Sequence, residues 1–149
     1  MDYRVKQLKT PEDCDNFINN VKKKYPELVP QARRRKVELL ASAYGAKSAA
    51  EIEALKAIYA YEEVLFEKNG RKTKASRTWQ MVGRHGIIGA VERAVNRKDD
   101  PVGFTVLVDM GMMDLAFEAI VVRYPELFSQ EAVSRSKQRL EPWQQPKTP

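Results

Sequence analysis

Ser48 to Gly70 reads SAAEIEALKAIYAYEEVLFEKNG, and this stretch decides the fold class. Ser48 and Glu51 stand in the S-x-x-E spacing of a capping box, in which each side chain reaches a free backbone donor of the other. Asn69-Gly70 offers a left-handed stop at the far end. Between these signals Leu55, Ile58, Tyr59, Leu65 and Phe66 form one apolar face, predicting a helix over 49–68, the longest in the chain. Glu62 falls in the middle of that face, four residues after Ile58 and four before Phe66. A carboxylate there must be neutral, solvated or paired, because an unpaired buried charge is costly. The favoured reading is a structural ion pair with an arginine of the segment that follows. The competing reading is a catalytic acid or base.

Next along the chain, Asn69 to Lys98 reads NGRKTKASRTWQMVGRHGIIGAVERAVNRK. Its cations are Arg71, Lys72, Lys74, Arg77, Arg84, Arg93, Arg97 and Lys98, and its single anion is Glu92, for a net charge of 8 − 1 = +7. The whole chain carries only +6, so everything outside the segment sums to −1. A basic excess confined in this way is an electrostatic footprint for a phosphate-rich partner or an acidic protein surface. The local pattern predicts a turn over 70–74, a helix over 75–84, a break at His85-Gly86 and a second helix over 87–97. Trp79 and Val82 are expected in the core. Ile87, Ile88, Val91, Ala94 and Val95 share one side of the second helix, with Arg93 and Arg97, four apart, on the other.

Helix, glycine turn and helix is the outline of a helix-turn-helix. Glu92, however, falls where that motif buries an apolar residue, and mainly Arg93, Asn96 and Arg97 are left to face a groove. A phosphate-gripping surface suits the residues better. In it Arg71, Lys72, Lys74 and Arg77 contact phosphates from the turn and helix start, Ser76, Thr78 and Gln80 add neutral donors, and Arg84, Arg93 and Arg97 extend the surface. The opposing arrangement pairs half of these cations with the acidic 49–68 helix and with Glu118.

Before the long helix, Tyr3, Val5 and Leu8 predict an extended arm lying on the domain. Thr10, Pro11, Glu12 and Asp13 then open a helix with a cap, an N1 proline and two anions at the positive end of the dipole. Phe17, Ile18 and Val21 are its expected buried stripe, with Cys14 beside it. Pro30 starts a helix that runs to Gly45. Its first turns carry Arg33, Arg34, Arg35 and Lys36, mildly unfavourable beside the helix N-terminus and read as a solvated start.

Beyond the basic segment, Asp99-Asp100-Pro101 ends the preceding helix, and a short helix is expected over 104–110 with Gly111 as its stop. A helix over 112–124 is apolar around most of its circumference and is placed in the core beside the Glu62 helix. Its Glu118 is a second candidate for a buried, paired carboxylate. Ser129 caps a last helix to about 140, and the Pro-rich tail EPWQQPKTP follows, with Trp143 free to fold back. Tyr25-Pro26-Glu27-Leu28 recurs as Tyr124-Pro125-Glu126-Leu127, read as one way of joining two helices used twice.

Composition bounds the function. With 149 residues, 43% apolar and 31% charged, the chain fits one globular domain. The lone Cys14 excludes an internal disulfide. His85 and Cys14 stand far apart in sequence, so no metal-ligand spacing exists and no cofactor is expected. No G-x-S-x-G, P-loop or G-x-G-x-x-G is present. No apolar run reaches the roughly 18 residues needed to span a bilayer, and the first residues lack a signal-peptide core.

The expectation is therefore an all-α domain over 1–141 with six to eight helices, a short extended N-terminal arm and a flexible tail over 142–149. Its expected function is that of a small basic cytoplasmic protein binding DNA or RNA through phosphate contacts from 69–98, with no cofactor or membrane partner. The alternative is an adaptor docking an acidic protein through the same surface. A small helical hydrolase ranks third; it could use two of Glu62, Glu63, Glu92, Asp109, Asp114 and Glu118 with a divalent cation, and nothing in the spacing selects a pair.

Overall fold

In a computed structural model, residues 1–97 and 101–144 are described. Lys98, the Asp99-Asp100 stop and the last five residues of the Pro-rich tail lie outside the described residues. Among the described residues the fold is all-α, with eight α-helices and no strand. The helices are α1 (Tyr3–Lys6), α2 (Pro11–Val21), α3 (Val29–Tyr44), α4 (Ala49–Asn69), α5 (Ser76–Asn96), α6 (Pro101–Asp109), α7 (Phe117–Arg123) and α8 (Gln130–Gln144).

The architecture is built around α4. Ser48 Oγ accepts the Glu51 N–H at 3.1 Å, and Gly70 ends the helix in the left-handed region at φ 70°. The capping box is half formed, since Glu51 turns its carboxylate to the Ser48 hydroxyl at 2.9 Å. Five alanines (49, 50, 54, 57 and 60) keep the helix slim, so that neighbours approach it from several directions. Ala54, Leu55 and Ala57 join a core with Val91 and Val95 of α5, Ile120 and Val121 of α7 and Ala132 of α8. Ala60 and Val64 join a second core with Val37 of α3, Leu107 of α6, and Met112 and Leu115. Leu55 and Ile58 are fully buried, each contributing about 1.5–3 kcal/mol by leaving water.

The first turns of α3 bind the rest of the molecule together, which corrects their reading as a solvated helix start. Arg33 reaches Glu67 at 3.0 Å. Arg34 forks onto the Asp114 carboxylate at 2.7 and 2.9 Å and also donates to the Gly111 carbonyl at 2.7 Å. Arg35 donates to the Leu8 carbonyl at 3.0 Å. The buried Lys36 ammonium lies 2.9 Å from both Glu63 and Asp15. The partners of these four cations sit on α2, on α4, on the 111–114 turn and at Leu8, so one stretch ties together the elements around it.

Two further expectations are corrected. The N-terminal arm is a short helix, α1. Asp2 accepts the Arg4 N–H at 2.8 Å and so caps it, Asp2 N–H donates to Gln31 Oε1 at 2.7 Å, and Val5 is fully buried. The predicted 112–124 helix is split. Met113–Leu115 is a 3-10 turn, Ala116 is extended at ψ 147°, and α7 begins only at Phe117. The split has a local cause. A continuous helix would bond the Asp114 carbonyl to the N–H four residues on, but Arg123 Nη2 takes that carbonyl at 2.9 Å while Arg34 holds the carboxylate. At the other end of the chain α8 runs past 140, through Pro142, and the Trp143 ring lies 5.4 Å from that of Phe104.

The two Tyr-Pro-Glu-Leu copies adopt the same joint. Each is a 3-10 turn entered through a tyrosine with nearly equal dihedrals, φ −131°, ψ 62° at Tyr25 and φ −126°, ψ 57° at Tyr124. In each, the leucine N–H bonds the tyrosine carbonyl at 3.0 Å.

The Lys36 site yields a stability prediction. Lys36→Met leaves the buried Glu63 and the partly buried Asp15 without their common cation and should lower the unfolding free energy by about 3–5 kcal/mol in urea titration. Lys36→Met combined with Glu63→Met should recover part of that loss. A double variant no better than the single one would show that the ion pair is not what stabilises the contact.

Candidate basic surface and its cavity

The cations of the basic segment are carried by the 70–75 turn and by α5. Gly86 interrupts α5 at φ 78°, ψ 173°, a region open essentially only to glycine, and so produces the helix-break-helix expected from the sequence. The bend presses His85 against Gly89, where an added Cβ would come within 2.8 Å of the histidine Cβ. Arg71, Lys72 and Lys74 are exposed on the turn. Arg77 and Arg84 are exposed on the first half of α5, Arg93 is exposed on the second half, and Arg97 is half-buried at its end.

The internal ion pairs are made by other cations. Glu53, Glu63, Glu67, Asp114 and Glu118 are matched by Arg123, Lys36, Arg33, Arg34 and Arg139 respectively. Of the seven site cations, only Lys72 has a carboxylate partner among the described residues. That partner is Asp15 at 3.5 Å, and the lysine remains 71% exposed. The arrangement that paired half of these cations with α4 and Glu118 is thus not the one adopted.

Both flagged carboxylates are occupied, in different ways. Glu62 is not a buried ion-pair carboxylate, which corrects the favoured reading. It is half-buried, and one oxygen, Oε2, accepts the Ala75 N–H at 2.8 Å and the Trp79 indole N–H at 2.9 Å. Among the described residues it pairs with no cation. It serves α5 as an N-terminal anchor, since Ala75 precedes the first helical residue. The buried partner on α4 is its neighbour Glu63. The sequence reading missed it because it followed one apolar face, whereas Ala60 and Val64 build a second. Glu118 is a mostly buried ion-pair carboxylate, but its partner is Arg139 of α8 at 3.3 Å rather than an arginine of the basic segment.

Arg139 has a second task that sequence reasoning did not find. Its guanidinium donates to the carbonyls of Val95 and Arg97, each at 2.8 Å, and so closes the C-terminal end of α5. This fixes the backbone of Arg97. Glu92 works beside it, accepting from the backbone N–H and the hydroxyl of Ser129 at 2.8 Å each and from Asn96 at 2.6 Å. Asn96 is in turn held by Arg135 at 2.8 Å. The second half of α5 is therefore tied to α8 along Glu92 and Asn96. That contact removes it as a free recognition helix and accounts for an anion where a helix-turn-helix buries an apolar side chain. Thr78 is also withdrawn from the expected donors, being 2% exposed, while Ser76 and Gln80 remain exposed.

Arg77 and Arg97 both line a cavity of about 430 Å³. Its walls come from α4, α5, α6, α7 and α8, with Tyr61, Val64, Leu107 and Phe117 among them. The rings of Tyr61 and Phe117 lie 5.9 Å apart. Arg71, Lys72, Lys74, Arg84 and Arg93 do not line it. On another side of α4, Trp79 packs between Tyr59, at 5.3 Å, and the half-exposed Tyr44, at 6.0 Å. Among the described residues no cluster of His, Cys, Asp and Glu is arranged to hold a metal ion, and no helix is long and apolar enough to cross a membrane. No protein-family profile matches the chain, and neither a curated protein nor a solved structure matches it.

Two predictions follow from the anchors of α5. Glu62→Ala frees the Ala75 and Trp79 donors and should destabilise the fold by about 1–2 kcal/mol, with a shift in Trp79 fluorescence in the native state. Burial acts to raise the Glu92 pKa, but the donors from Ser129 and Asn96 and the nearby Arg93 charge outweigh it and hold the carboxyl below its ordinary value of 4.5. Its contribution is thus fully present above that value and is lost as pH falls through the lowered one. Thermal unfolding followed from about pH 5 to about pH 3 should show a flatter loss of stability in Glu92→Gln than in the parent chain.

Proposed function

We propose that this protein is a small cytoplasmic nucleic-acid-binding protein that grips phosphates through Arg71, Lys72, Lys74, Arg77, Arg84, Arg93 and Arg97. One observation carries the reading: among the described residues the internal carboxylates are matched mainly by cations outside the segment, and of its seven cations only Lys72 has a carboxylate partner. Cations that stabilise nothing inside the fold are available to polyanions, and phosphate contacts need no fixed register with bases. The burial of the second half of α5 against α8 favours backbone contact over groove reading, because Glu92 and Asn96 are engaged with α8. Ser76 and Gln80 are the neutral donors left to accompany the cations.

Fluorescence anisotropy with labelled duplex DNA, single-stranded DNA and RNA, at several salt concentrations, tests the reading. Binding should weaken with salt, with a log–log slope on duplex DNA of about −0.9 for each phosphate contacted. Replacing Arg71, Lys72, Lys74 and Arg77 together by Ala should abolish binding at moderate salt. Stability should change little, since exposed charges contribute less than about 1 kcal/mol each. Absence of binding to all three polymers at low salt would overturn the proposal and leave an acidic protein surface as the partner to seek.

A further inference from the structure

We propose that the 430 Å³ cavity at the end of α5 is a binding site for a small amphipathic anion, a molecule with an apolar body and a carboxylate or phosphate head held by Arg77 and Arg97. The cavity is of the size that small-molecule sites occupy, and it has their usual make-up of apolar walls with a few converging polar groups. Val64, Leu107, Leu115 and Ala116 form its apolar base and belong to the second hydrophobic core. Phe104 and Phe117 add aromatic walls.

Charge selects the class of occupant. Four charged residues line the cavity, Arg77, Arg97, Arg139 and Glu118. Arg139 and Glu118 pair with each other at 3.3 Å. Neither Arg77 nor Arg97 has a carboxylate partner among the described residues, so 3 − 1 = +2 remains at the cavity. A neutral apolar guest would leave both guanidinium groups beside apolar surface with no counter-charge. An anion with an apolar tail satisfies both features, and arginine forms charge-assisted, often bidentate, bonds to carboxylate and phosphate alike. Tyr61 also lines the cavity, and its hydroxyl makes no hydrogen bond among the described residues. Arg139 fixes the backbone that carries Arg97 by donating to its carbonyl at 2.8 Å.

Isothermal titration of the full chain with octanoate, octyl phosphate and octanol tests this. One of the two anions should bind one to one and at least about tenfold more tightly than octanol, the gain expected of a charge-assisted pair. Which anion it is identifies the head. Arg77→Gln with Arg97→Gln should weaken that binding about tenfold or more while the melting temperature holds, because neither side chain makes a hydrogen bond or ion pair among the described residues. Ala94→Phe, which fills the cavity from α5, should also weaken binding, with circular dichroism confirming the helical content. Replacing Arg71, Lys72 and Lys74 by Ala should leave the affinity unchanged, which separates this site from the polyanion surface. Equal affinity for octanol, full affinity in the double glutamine variant, a matching loss in the triple alanine variant, or no binding of either anion at millimolar concentration would overturn the proposal.

Discussion

The Lys36 ammonium, buried 2.9 Å from both Asp15 and Glu63, is the constraint on which the packing of this fold depends. A lysine removed from water is tolerated only where its charge is matched, and here α2 supplies one carboxylate and α4 the other. The Phe66 ring lies 5.8 Å from the same nitrogen. Burial by itself would disfavour the ammonium, yet Glu63 and Asp15 together hold its pKa above the ordinary 10.5. The ammonium therefore stays charged throughout the neutral range, and the pairing is lost on the alkaline side as pH rises through that raised value. Because Lys36 can meet both anions only when α2 and α4 flank α3 in one register, the ion site sets their relative placement. Arg33, Arg34 and Arg35 then extend the same device outward to Glu67, Asp114 and the Leu8 carbonyl.

Cations in the first turns of a helix work against its dipole, at a cost of a few tenths of a kcal/mol each. That cost is offset because each side chain leaves the helix to serve another element. Arg34 shows the effect most fully. Its fork on Asp114 holds that carboxyl below its usual range, with the Arg34 hydrogen bonds as the chief cause. The same carboxylate stands in the 3-10 turn that divides the helix expected over 112–124. Without the division, Ala116 could not turn extended and α7 could not start at Phe117, and both residues line the cavity. The basic run on α3 thus shapes the second feature of interest from a distance.

The signals legible in the sequence were those encoded within a few residues. Thr10 and Ser48 cap their helices as read, Gly45, Gly70 and Gly86 break the chain as read, and the repeated Tyr-Pro-Glu-Leu makes the same turn twice. What escaped depended on partners distant in sequence. Arg34 and Asp114 are 80 residues apart, and Arg139 lies 42 residues from the Arg97 carbonyl that it holds. Periodicity cannot tell Glu62 from Glu63 on a helix that is buried on several sides, so the anion of the ion pair was assigned one position too early. Nor can composition divide a cation that will turn inward from one that will stay in water. Arg33 and Arg71 look alike on the page, and only the carboxylates that the fold brings near them separate their roles.

That division of cations also bears on how the two proposed binding activities relate. The exposed Arg77 and the half-buried Arg97 belong to the proposed basic surface and to the cavity at once. A guanidinium engaged by a bound carboxylate or phosphate contributes less positive potential to a passing polyanion, so the two ligands would be linked with negative coupling. Linkage makes the effect reciprocal: whatever factor the small anion takes from polymer affinity, the polymer takes from the small anion. Arg71, Lys72 and Lys74 stand outside the cavity, so the coupling would be partial, a reduction in affinity and in salt slope rather than a switch. The fold allows this without any movement of helices, because the shared element is charge and not shape.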